Sequence, residues 1–135
     1  MSRESERQKL ALMREEVMLS GGKSKTDPHH SGKMTARERL GALLDADSFV
    51  ELDQFVTHRS INPGMVHTKA PGEGVVTGYG TIDGRLVYVF SQDASVLGGS
   101  MGEMQAAKIC KVMDLAVQAG APLIGLHDSA GARIE

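Results

Sequence analysis

Two β-rich runs, GVVTGYGTI (Gly74–Ile82) and RLVYVF (Arg85–Phe90), are separated only by Asp83-Gly84. Asp-Gly supplies the left-handed backbone that a two-residue turn needs, so this stretch predicts a β-hairpin and fixes how its strands pair. Val87 to Phe90 is apolar on successive residues, the pattern of a strand buried on both faces. Helical apolar spacing follows at Met101, Met104, Ile109, Val112, Met113, Ala116 and Val117. Ser100 and Glu103 form a capping box before that run, and Gly120 stops it. Cys110 lies beside the apolar face and reads as structural. Leu123–Leu126 is a second short buried strand. Strands alternating with helices predict an α/β domain with right-handed crossovers.

The hairpin is preceded by an arm and a linker, residues 1–32, which the sequence separates from a domain over 33–135. Ser2 to Leu19 is rich in both charges, with a narrow apolar stripe at Leu10, Met13, Val17 and either Leu12 or Met18, and reads as a surface helix ended by Gly21-Gly22. Gly22-Lys23-Ser24 resembles the tail of a phosphate loop, but Val17 stands where that motif needs glycine. His29-His30 has no third metal ligand near it in the sequence and reads as exposed loop. Thr35 and Glu38 form a capping box opening a helix to Leu44, with Leu40, Leu43 and Leu44 on one face. Arg37 and Arg39 point elsewhere, solvated or paired with Glu38 or Asp45, with phosphate binding as the alternative. Phe49–Asp53 alternates like a strand, and Gln54–Gly72 has no pattern, so His58, Arg59 and His67 read as surface residues. Gly78, Gly80 and Gly84 lack both the spacing and the following helix of a dinucleotide fingerprint.

Composition excludes several classes. A net charge of −2 over 135 residues leaves no clustered basic footprint for nucleic acid. The single cysteine excludes an internal disulfide and suits a reducing compartment. No apolar run nears the about 18–20 residues of a membrane span, and no apolar signal region opens the chain. These features predict a cytoplasmic protein.

Chemistry points to Pro122–Glu135, PLIGLHDSAGARIE, where a strand runs into a small-residue turn and Arg133-Ile134 suggest a helix start. His127, Asp128 and Ser129 alternate in direction along the chain and cannot relay a proton among themselves, and the turn lacks the G-x-S-x-G of a nucleophile elbow. Asp128 and Ser129 are better placed to cap the following helix. Without paired carboxylates, metal-ligand spacing or a Cys–His pair, the chemistry left is that of backbone N–H groups holding an oxyanion or enolate, each typically worth about 3–4 kcal/mol in the transition state.

ARERLGALLD, PGEGVVTGYGTIDGRLVYVFSQD, GGSMGEMQAAKICKVMDLA and DSAGARI, in this order, resemble the amino-terminal part of biotin-dependent acyl-CoA carboxyltransferases. The resemblance covers nearly everything from Lys33 to Glu135. It implies an α/β, crotonase-like fold of repeated ββα units behind an N-terminal helical arm, incomplete at this length. It also implies transfer of a carboxyl group between carboxybiotin, carried on a partner protein or domain, and the α-carbon of an acyl-CoA. The thioester would pass through an enolate held by the N–H groups of Ala130 and Gly131, in a turn shared with Ser129, Ala132 and Arg133. Relatives often carry two glycines there; Ala130 replaces the first. Gly98, Gly99 and Ser100 are expected to line the same pocket, and Arg37 and Arg39 to lie near the CoA. A biotinylated partner, a homo-oligomer and no metal complete that expectation. The alternative is a non-catalytic module that binds acyl-CoA or docks into an oligomer; a free-standing hydratase would need an acid over the pocket that this stretch lacks.

Overall fold

A computed structural model describes residues 3–19 and 28–134 of the chain. Its helices are α1 (Arg3–Leu19), α2 (Ala36–Leu43) and α3 (Glu103–Ala119), and its strands β1 (Val50–Leu52), β2 (Val75–Ile82), β3 (Arg85–Gln92) and β4 (Leu123–Leu126). They form one sheet in the order β1-β2-β3-β4. The Asp-Gly hairpin forms as its turn chemistry requires, with φ of 50° at Asp83 and 76° at Gly84, and Ile82 pairs with Arg85. β4 returns after α3 to run parallel to β3, Tyr88 opposite Leu123.

The Asp45 carboxylate accepts from Thr81 Oγ1 at 2.6 Å and from the Asp83 and Gly84 N–H groups at 2.9 Å. These bonds, the Thr81 hydroxyl first, hold that carboxyl below the usual range and lock the end of α2 to the hairpin tip. On one side of the sheet Ala36, Leu40 and Leu44 meet Val76, Val87 and Val89. Ile109 and Val112 of α3 form the second cluster with Val75 and Phe90. Gly78 and Gly80 serve this packing: a Cβ on Gly78 would enter the Phe49 ring, and one on Gly80 would sit 3.0 Å from a Leu44 methyl.

Several local expectations are corrected. Thr35 and Glu38 do form their capping box. Ser100 and Glu103 do not: the N-cap of α3 is Gly102, and Ser100 Oγ donates to Leu97 O at 2.6 Å. The reason lies at residues 97–99, which all take positive φ (50°, 66° and 63°) and turn Ser100 away from the helix end. The apolar stripe of α3 is narrower than the sequence suggested, with Met113 and Val117 exposed while Gln105 and Lys108 are buried. Cys110 is exposed. No helix begins among the described residues after Ala132; that residue forms an isolated parallel bridge with Met101. His58 is buried and bonds Thr68 O through Nε2 at 3.0 Å. His29, in a short 3₁₀ turn at Pro28–Ser31, bonds the Glu38 carboxylate. Of the α1 stripe only Val17 is buried. The Gly21-Gly22 stop lies outside the described residues.

Candidate active site

The carboxyl end of β4 and the loop before α3 come together. Ala130 N–H donates to Gly98 O at 3.0 Å, Met101 N–H to Gly131 O at 2.8 Å, and Arg133 N–H to Met101 O at 2.9 Å. Ser129, Ala130, Gly131 and Ala132 therefore face Gly98, Gly99 and Ser100. Close approach needs small residues here. A Cβ on Gly98 would just touch the Ala130 methyl at 3.5 Å, whereas one on Gly99 would run into Asp128 O. Gly131, with φ of 119°, occupies backbone that other residues rarely adopt.

The two N–H groups singled out by sequence are not equivalent. That of Ala130 is committed to a backbone carbonyl, while that of Gly131 meets the Ser129 hydroxyl at 3.1 Å. A hydroxyl can rotate aside; a carbonyl fixed in a loop cannot. Ala132 lies between the two bridge bonds, so its own N–H points away from Met101.

Arg37 and Arg39 separate. Arg37 forms a two-pronged ion pair with Glu51, at 2.8 Å for one prong, and is held toward β1 rather than paired with Glu38 or Asp45. Arg39 donates instead to Gln92 O, and with Lys33, Met34, His127 and Asp128 it lines a cleft beside the turn. Only Arg39 of the two reaches the site.

A buried polar network supports these loops. Gln105 sends Nε2 toward the carbonyls of Glu73, Gly74, Gly99 and Ser100 at 3.1–3.4 Å. Its Oε1 accepts from Gln92 Nε2 at 3.2 Å, and Gln92 Oε1 accepts from Asp128 N–H at 3.3 Å. One turn along α3, Lys108 Nζ donates to Gly72 O at 2.9 Å and Val75 O at 2.6 Å. Burial pulls its ammonium down to about 8, against the raising effect of Glu51 and Asp53. Arg133 reaches across to Glu73, whose side chain is fully buried. None of Glu73, Gln92, Gln105 and Lys108 was singled out as functional from sequence, and Arg133 was named only as part of the turn, although Gln105 and Lys108 fall in phase with Ile109, Val112 and Ala116. A polar side chain repeated on the apolar face of a helix is the signal that finds such residues.

Residues 27–135 match the family model described as the carboxyl transferase domain. The chain belongs to that family. The chain is 58% identical over 132 residues to the methylmalonyl-CoA decarboxylase subunit alpha of Veillonella parvula, covering 95% of the chain and 26% of the relative. It is 61% identical over 107 residues to the biotin-dependent acetyl-/propionyl-coenzyme A carboxylase beta5 subunit of Mycobacterium leprae, covering 79% and 20%. Its structure superposes on transcarboxylase 12S, solved as a hexamer with methylmalonyl-coenzyme A and methylmalonic acid bound, with a TM-score of 0.92 at 43% identity, over 98% of the chain and 26% of the other. The fold is thus crotonase-like, and the chain spans about a quarter of the length of the relatives it matches. Among the described residues no helix is long and apolar enough to cross a membrane.

Proposed function

We propose that this chain forms the acyl-CoA enolate site of a biotin-dependent carboxyltransferase. The observation that carries the reading is the docking of the 129–132 turn on the Gly98–Ser100 loop, where small side chains leave the backbone accessible to a thioester. In either direction, adding or removing a carboxyl group at the α-carbon passes through an enolate. Its oxygen is held by the Gly131 N–H, released from the Ser129 hydroxyl, together with the outward Ala132 N–H; Ala130 acts by fixing the turn to Gly98 and joins only if that bond opens. Arg39 and Lys33 set two cations beside the turn, suited to the phosphates of CoA. Carboxybiotin, delivered on a partner, supplies the activated carboxyl group, and no residue of this chain is assigned to hold it. The names of the relatives support a biotinylated partner and a homo-oligomer, and the lone cysteine a cytoplasmic setting.

Carboxyl transfer between methylmalonyl-CoA and biotin by the assembled protein tests this. Gly131→Ala forces a side chain onto a φ of 119° and moves the donor. The expected result is a kcat lower by about 100-fold, the usual effect of losing one oxyanion donor, with propionyl-CoA binding retained. Unchanged turnover would remove Gly131 from the site. Binding without any transfer by the unaltered protein would leave a non-catalytic module.

A further inference from the structure

Gly72, Glu73 and Gly74 form a run of three positive φ angles (87°, 55° and 72°) immediately before β2. Left-handed backbone is strained at Glu73, which carries a side chain, and such strain persists only where the surroundings over-determine it. Here they do: Lys108 and Gln105, one turn apart on α3, bind the carbonyls of Gly72, Glu73, Gly74 and Val75. The turn presents the Glu73 carboxylate inward, where it is 0% exposed. Its Oε1 takes the Arg133 guanidinium, itself only 11% exposed, and its Oε2 has no protein hydrogen-bond partner.

Arg133 directly follows the small-residue turn. Its backbone N–H closes the bridge to Met101, and its guanidinium fills the space above Gly102 that a Cβ would take. A buried carboxylate facing that guanidinium strongly favours this placement of Arg133. We propose that Glu73 is a positioning residue for the enolate site: its buried carboxylate fixes Arg133 and, through it, the 129–132 turn. This rests on the function proposed above, and it assigns a role to a strained glutamate 60 residues away in the chain.

The test uses the assembled carboxyltransferase bearing Glu73→Gln, and separately Gly102→Ala, which leaves both charges in place and displaces the guanidinium sterically. Each should lower kcat for transfer from methylmalonyl-CoA at least tenfold, toward the roughly 100-fold that a misplacement of about 1 Å produces. The KM should stay within about twofold. In an Arg133→Ala background Gly102→Ala should have no further effect. Unchanged kcat in Gly102→Ala, or kcat and KM failing together with loss of assembly, overturns the proposal. If Glu73→Gln does not fold, Gly102→Ala decides. Amide hydrogen exchange over residues 128–134 separates this proposal from the functional reading. Faster exchange in both variants supports positioning even if the unaltered protein transfers no carboxyl group, and unchanged exchange refutes it.

Discussion

Gly98 and Gly99 have nearly the same left-handed φ, 66° and 63°, yet the structure gives them different reasons for being glycine. At Gly98 an added methyl would meet only the Ala130 methyl at ordinary contact distance; at Gly99 it would strike Asp128 O and come within 3.3 Å of the Ala94 backbone. Alanine should therefore cost about 1–2 kcal/mol at Gly98, the strain of a left-handed side chain alone. At Gly99 the loss should be clearly larger, because two backbone segments must separate. Thermal unfolding of the two variants decides: equal falls in Tm would mean that the 99–128 contact is looser than described. A pair of adjacent glycines is legible in the sequence, but which of them faces a carbonyl is not.

α3 shows what a periodic pattern conveys about an element and what it leaves out. Apolar spacing located the helix and its Gly120 stop, while Ile109, Val112 and Ala116 carry its packing. The pattern gave Met113 and Val117 to the core and overlooked Lys108, because burial of a lysine depends on carbonyls that another segment must bring to it. Burial lowers the Lys108 ammonium from its ordinary 10.5 to about 8, with Arg37 adding slightly and Glu51 and Asp53 opposing. Between these two pH values the unfolded chain holds a proton that the folded chain has released, so this residue's contribution to stability rises with pH across that window. Below pH 8 both states are protonated, and the charge is a constant cost. Unfolding followed from pH 7.5 to 10 should show the difference between the unaltered protein and Lys108→Met growing in favour of the former. Its full extent is on the order of 3 kcal/mol at the top of the window. A difference independent of pH would show that Lys108 titrates normally.

At the scale of the whole molecule, the two edges of the sheet differ. β1 is a three-residue edge with a charge in its middle, Glu51, paired to Arg37. β4 is LIGL, without charge or proline, and among the described residues has β3 as its one strand neighbour. Uncharged, unprotected edges recruit further strands. The 135-residue chain on its own should accordingly run larger than a monomer in size-exclusion chromatography, and Ile124→Lys should shift it toward the monomer. A sharp monomer peak for the unaltered chain would show that the edge is otherwise protected.

The sequence by itself determined the hairpin, its register, the α2 cap and the α3 span. Each rests on interactions between near neighbours: an Asp-Gly turn, a Thr-x-x-Glu cap, a period of 3.6. The four quoted segments also identified the family that the matched carboxyl transferase domain confirmed. Only the tertiary structure decided that Arg37 answers Glu51 and not Asp45, that Arg39 alone of the pair reaches the site, and that Glu73 meets Arg133. Those partners lie 14, 53 and 60 residues apart, and their pairing depends on which groups share a buried volume after the sheet has formed.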